Sequence, residues 1–356
     1  MRRIVPRLVL VLLLGATAVW LAAYAWLGYA GRAALAGEAD AVRYALWALA
    51  VLAAAVVLPS IVHRMRAPRR VGTPWKAARL RGRCTPGHVS DMSASPPILS
   101  HKHYAAPSAF APENLLREAR RQKRLADAEV PAVCVLDPDG DIVRRLKREA
   151  RARLDPGWAC YHTELHRFDE GGIEFGIVGC VVGASFAVLV AEELFASGCR
   201  FLVSVTSAGQ LARLRAPPYF VLIDRALRDE GTSYHYLPPA EFSHADAGLL
   251  GAMSEAFVGL SVPVERGATW TTDAPFRETA EAIAAMQRKH LLAVEMEAAA
   301  LYALAQARGR SVLCFAHVTN QMARSEGDFE KGEAEGTVDA LALIHAAAQA
   351  WMRSPV

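Results

Sequence analysis

The pattern of apolar and polar positions divides the 356-residue chain into three parts. From Leu8 to Gly31, and again from Tyr44 to Val62, no charged residue occurs. Each run is long enough to cross roughly 30 Å of hydrocarbon as a helix. Residues 63–95 mix Arg, Pro, Gly and Ser without an apolar period and read as a basic linker. From about Pro96 onward, short β-rich runs alternate with helical ones. "AVCVLD" is followed by "DIVRRLKREA", and "GIEFGIVGCVV" by "SFAVLVAEELFASG". "RFLVSVTSAG" and "YFVLIDRAL" come next, then "LLAVEME" with "AAALYALAQARG", "SVLCFAHVTN", and a last helix "VDALALIHAAAQAWM". Strands alternating with helices predict an α/β domain over 96–356 built around a mostly buried sheet.

Charge sharpens the reading of the first part. Arg2, Arg3 and Arg7 precede the first apolar run. Arg64, Arg66, Arg69, Arg70, Lys76, Arg79, Arg81 and Arg83 follow the second, with no acid before Asp91. The positive-inside rule therefore predicts a transmembrane hairpin over 1–62 with both ends in the cytoplasm. The expected location is the inner (cytoplasmic) membrane, with the α/β domain facing the cytoplasm. A cleaved signal peptide, with "ALA" at Ala34 to Ala36 as its processing site, is the alternative. The length of the first run and the presence of a second span weigh against it. The net charge of only +4 gives no reason to expect a nucleic-acid partner. The six cysteines form no CxxC pair and read as reduced core thiols, with no metal expected.

No GxxxxGK[ST], no GxGxxG after a strand and no HExxH is present. "GASFA" around Ser185 has the look of a relaxed nucleophile elbow, for which Asp273 and His317 could complete a serine hydrolase set. Tight strand-to-helix packing at Gly183 explains the same residues.

The sharper signal is "AVEMEAAALY", where Glu295 and Glu297 stand one residue apart as an apolar run turns into a helix. A helix start favours one carboxylate through its exposed N–H groups. A second carboxylate at the inner end of a buried strand needs partners. A sugar diol is a good one, because two adjacent hydroxyls can both donate to one carboxylate.

"VEMEAAAL" resembles the ribose-binding motif of the nucleoside phosphorylase family, which includes uridine phosphorylase, bacterial purine nucleoside phosphorylase and methylthioadenosine nucleosidase. Other segments agree in order. "LDPDGDIVRRL" is similar to the family's "PGDPxR" loop, and "VVGASFAVLVAEELFASGCRFLVSVTSAGQL" to its Gly-rich turn, helix and "TG/SAG" loop. "RDEGTSYHYLP" resembles the "DGTS" segment of the uridine phosphorylase branch, and "WTTDAPFRET" the "STDAFYRE" segment. The resemblance implies a three-layer α/β/α domain with a mixed central sheet. It also implies a homo-oligomer that shares active sites between subunits.

By the same resemblance, Glu297 accepts hydrogen bonds from the ribose hydroxyls and Met296 packs on the sugar. Ser207 sits near phosphate and ribose, while Gly140 and Arg144 form the phosphate loop. His101 or His103 is the histidine lent to a neighbour's ribose 5′-hydroxyl. Arg144 points to phosphorolysis, with inorganic phosphate as co-substrate and no other cofactor. Three features depart from the phosphorylase pattern: Ser204 stands where that branch has an Arg, His162 stands where a neighbour's Arg is lent, and "TSAGQ" is closer to the nucleosidase form. Asp139 or Asp141 could then activate water instead. Asn320 replaces the Asp that protonates purines, which favours a pyrimidine. Phe276 offers a stacking face for the base or simply packs in the core; Arg277 and Glu278 are a surface pair or site residues. "QMARSEGDFEKGEAEG" reads as a lid or a plain solvated loop. The expectation is a membrane-tethered nucleoside phosphorylase acting on a pyrimidine nucleoside. A nucleosidase on the same fold, or a nucleoside sensor without turnover, is the alternative.

Overall fold

A computed structural model describes residues 96–321 and 328–354. The predicted hairpin and basic linker lie outside the described residues, as do 322–327 of the predicted lid. No helix among the described residues is long and apolar enough to cross a membrane.

The buried apolar runs form the strands. β1 (Val133–Asp137), β4 (Ile173–Gly179), β5 (Phe201–Gln210) and β10 (Ser311–Asn320) run parallel in the order β4-β1-β5-β10. Buried on both faces, they carry near-continuous apolar residues rather than an alternating pattern. β2 (Arg153–Leu154) and β3 (His166–Glu170) extend the β4 side antiparallel, forming an open flank.

The other side closes on itself. β6 (Tyr219–Asp229) pairs antiparallel with β10 and parallel with β8 (Val264–Thr272). β8 pairs with β9 (Ala293–Glu295), and β9 returns antiparallel to the end of β5 through Gly209↔Val294 and Gln210↔Ala293. The ring β5-β10-β6-β8-β9 is therefore closed, and β5 belongs to both halves. β7 (Phe242–His244) pairs with the outer edge of β6. The sheet is mixed, as expected.

Helices cover both faces. α1 (Pro112–Lys123) and α3 (Ala184–Ala196) pack with α6 (Ala298–Arg308) on one side. α2 (Asp141–Arg148) and α4 (Ala247–Ala252) pack with α7 (Thr337–Arg353) on the other. α5 (Ala280–Arg288) contributes Ile283 to a second apolar cluster with Leu211, Leu227, Trp270 and Leu291. The small-residue face of α6, from Ala298 to Leu304, is buried throughout, so this helix sits between sheet and α3.

Four of the described cysteines are buried thiols, but Cys180 is exposed at the end of β4. It is the exception to the core-thiol expectation.

Candidate active site

The two glutamates separate cleanly. Glu295 ends β9 inside the ring, 2% exposed, and its carboxylate is fully used. One oxygen accepts from the Thr269 and Thr271 hydroxyls, the other from the backbone N–H groups of Glu297 and Ala298, both at 2.7 Å. Glu295 thus satisfies the first orphan donors of α6. It is the helix-start carboxylate that the pattern anticipated.

Glu297 is 1% exposed and only half satisfied. Oε1 accepts from the Gly183 N–H at 2.6 Å, whereas Oε2 has no hydrogen-bond partner. Burial, with the Glu295 charge adding to it, pushes the Glu297 carboxyl up to about 8; the Gly183 amide and the Thr206 hydroxyl pull partly the other way. Gly183 holds φ +93°, a conformation that costs a side-chain-bearing residue, and its position at the start of α3 aims the amide at Glu297. A buried oxygen without a partner makes a candidate ligand position; Glu193 on α3, 2% exposed, leaves both of its oxygens in the same state.

The neighbouring loop joins β1 to α2. Asp137 caps α2, accepting from Gly140 N at 3.1 Å and Val143 N at 2.9 Å. Burial pushes its carboxyl up to about 7, with Asp139 and Asp141 adding to the rise. Gly140 turns the chain at φ +74°, and a Cβ there would meet Cys180 Sγ at 2.6 Å and the Arg144 guanidinium at 2.8 Å. Asp139 folds back onto β5, where it accepts from Ser207 N at 3.1 Å and Ser207 Oγ at 2.9 Å. Arg144 is half exposed, with one nitrogen on Asp141 and another 4.0 Å from Cys180 Sγ. Lys331, from the segment between β10 and α7, reaches Asp141 at 2.5 Å and Asp139 at 4.0 Å. His317 on β10 lies opposite Ser207 in register and stacks on Phe220 at 4.6 Å. Burial pushes its imidazole down to about 4, so it is neutral at pH 7.

These groups collect at the carboxyl ends of the parallel strands, the place where open α/β sheets bind ligands. Glu297, Gly183 and Thr206 form one group and Ser207, Asp139, Gly140 and Arg144 a second, joined through the consecutive residues Thr206 and Ser207 of β5; Met296 is half-buried beside Glu297. Asn320 ends β10, buried, with its amide donating to Thr319 Oγ1 at 3.2 Å.

His101, His103 and His162 are exposed and stand outside this hydrogen-bonded group. Phe276 is fully exposed, so it has no core-packing role in this chain. Arg277 is exposed, and no ion pair joins it to Glu278 among the described residues; burial alone pushes the Glu278 carboxyl up to about 7. Ser204 is 1% exposed with an unpartnered hydroxyl, in mid-strand between β1 and β10. The serine hydrolase set is not assembled. Ser185 is exposed in the first turn of α3, Asp273 accepts from Gly231 N at 2.9 Å, and His317 packs on Phe220. Sequence reasoning gave Lys331 no role, since it lies in a polar stretch with no periodicity to anchor it. It also left Thr206 aside, as part of the "TSAG" run.

Fold and site together define an α/β domain with a buried, half-satisfied glutamate and a glycine-turned loop at the carboxyl ends of its strands. The model of the phosphorylase superfamily matches residues 132–349, and the chain belongs to that superfamily. It is similar in fold to uridine phosphorylase of Vibrio fischeri ES114. Against the complex of that enzyme with 6-hydroxy-1-naphthoic acid the TM-score is 0.53 at 21% identity, covering 65% of this chain and 94% of that one. A second structure of the same enzyme gives 0.52 at 22% identity, covering 71% and 99%. No curated protein sequence matches this chain.

Proposed function

We propose that the domain cleaves the N-glycosidic bond of a nucleoside, with Glu297 holding the ribose diol. The observation that supports this most directly is the free Oε2 of Glu297, buried and unpartnered beside Gly183 and Thr206 at the carboxyl ends of the strands. Two vicinal hydroxyls would satisfy that oxygen while Oε1 keeps the Gly183 amide. Cleavage passes through an oxocarbenium-like sugar, so the site's task is to hold the pentose, place an acceptor beneath C1′ and let the base leave.

Phosphorolysis is supported by the Gly140–Arg144 loop and by superfamily membership. Hydrolysis is supported by Asp139, which already occupies the donors of Ser207. Asn320 is a hydrogen-bond donor rather than an acid and favours a pyrimidine leaving group. The exposed Phe276 is left as a stacking face for the base, if a ligand or a neighbouring subunit brings it into the site.

A panel of purine and pyrimidine nucleosides, with products identified by mass, tests the reaction. Release of free base by the wild type and its loss in Glu297→Ala is the expected result. Binding without release of base would instead identify a sensor.

The chain is further proposed to sit on the inner membrane through its N-terminal hairpin, with the domain in the cytoplasm. It is proposed to act as a homo-oligomer in which His101 or His103 of one subunit reaches a neighbour's sugar. Membrane fractionation, and subunit-mixing rescue between Glu297→Ala and a double His101→Ala/His103→Ala variant, test these two points.

A further inference from the structure

The anion position of the site already holds an occupant of the chain's own. The donors that face an acceptor at the end of β5 are the N–H and hydroxyl of Ser207, and both go to the Asp139 carboxylate, at 3.1 and 2.9 Å. Asp139 reaches them because the positive-φ turn at Gly140 directs the preceding residue back over β5. The nearby cations are also committed. Arg144 is on Asp141, and Lys331 lies between Asp141 at 2.5 Å and Asp139 at 4.0 Å. Ser204, the position where a further arginine would be needed, holds a small buried hydroxyl. Asp139 and Asp141 therefore already offset both cations before any ligand arrives, with Asp137 and Glu335 lining the same pocket. A phosphate dianion would have to displace Asp139 from Ser207 and then remain beside its negative charge.

We infer that Asp139 selects the acceptor: it fills the anion seat, excludes phosphate, and makes water the nucleophile. This rests on the glycosidic-cleavage reading given above. The side chain is 30% exposed, so a water molecule can reach it without disturbing the bonds to Ser207. The water oxygen bonds to C1′ of the sugar held by Glu297. The C1′–N bond breaks, and its electron pair leaves on the base. One proton of the water passes to the Asp139 carboxylate, and the base takes up a proton from solvent. The products are free base and ribose. Ser207 keeps the carboxylate aimed throughout.

Two measurements on the full chain test this. In the first, base release is followed in phosphate-free and phosphate-saturated buffer. The wild type should give the same rate in both, with ribose as product. Asp139→Asn keeps the shape and should lose hydrolysis by ~100-fold or more. In the second, phosphate binding is read directly by calorimetry, without substrate. Asp139→Asn and Asp139→Ala should bind phosphate about tenfold or more tightly than the wild type. Thermal melts confirm that both variants fold.

Ribose 1-phosphate from the wild type, or wild-type phosphate binding as tight as in the variants, overturns the assignment. Failure of every nucleoside to release base would instead sink the glycosidic reading, and the phosphate-binding comparison would still decide the role of Asp139.

Discussion

Two carboxylates, Glu295 inside the closed ring of strands and Glu297 at the seam where β5 meets the open flank, have their hydrogen bonds met in opposite ways. Inside the ring, Glu295 has four donors on two oxygens, and Thr269 and Thr271 on β8 use their hydroxyls on it. At the seam, Glu297 has one donor and an orphaned oxygen, and Ser204 has an unpartnered hydroxyl. Two carboxylates two residues apart therefore do different work. One is consumed in holding β8, β9 and α6 together. The other keeps one oxygen without a partner, at a cost to the empty fold. Neither burial nor unmet hydrogen bonds alone separates a site from a core: Glu193 on α3 is equally buried with both oxygens unpartnered, and what sets Glu297 apart is its place at the carboxyl ends of the strands.

The contrast can be broken most severely at Glu295. Glu295→Ala leaves two buried hydroxyls and two helix-start amides unpaired and should cost about 3–5 kcal/mol, read by chemical denaturation. Glu297→Ala should lower base release by roughly 100- to 1,000-fold while leaving the melting temperature unchanged or higher, since it removes a buried group that the empty fold does not satisfy. If the two variants exchange these phenotypes, the division between ring and seam is wrong.

Acidity sharpens the same contrast. The Glu297 carboxyl goes from about 4.5 unfolded to about 8 folded, so the folded state keeps a proton that the unfolded state releases. Its contribution to stability is full below pH 4.5, falls as pH rises, and levels off above about 8. The wild type should lose on the order of a few kcal/mol more than Glu297→Gln across that window. The same shift predicts that ribose binding, which needs the anion to accept two hydroxyls, releases a proton. KM for a nucleoside should fall as pH rises toward 8.

Smaller effects follow. Gly183→Ala forces an ordinary residue into φ +93° and should cost about 1–3 kcal/mol, together with a weaker hold on Glu297. Phe276→Ala, at a fully exposed position, should leave the melting temperature unchanged, and any rise in KM would assign it to the base.

Much of this was legible from the chain. The apolar runs that became β1, β4, β5, β6 and β10 read directly as strands, because burial on both faces leaves a continuous apolar signature. The segments of α2, α3, α6 and α7 read as helical runs from their alternation with the strands, although α3 and α6 are apolar nearly all round. β8 was not read as a strand. Its sequence "VERGATWTT" is interrupted by Arg266, Gly267 and threonines whose hydroxyls serve Glu295, a partner 24 to 26 residues away. Closure of the ring was equally hidden, since it rests on two residue pairs between β5 and the three-residue β9. In the site, the motifs located Glu297, Ser207, Gly140 and Arg144. They could not show that Asp139 covers Ser207 or that Lys331 arrives from the far end of the chain, because both depend on side-chain direction across loops.

β5 carries Thr206 beside Glu297 and Ser207 beside Asp139, on consecutive residues. Consecutive side chains leave a strand on opposite faces, so the two groups are presented from the two sides of β5, whose ladders to β1, β9 and β10 hold both directions. Sliding that strand would unzip neighbours on both edges. A lineage of such domains can therefore exchange side chains on the Asp139–Arg144 loop while the strand that carries both groups stays in place.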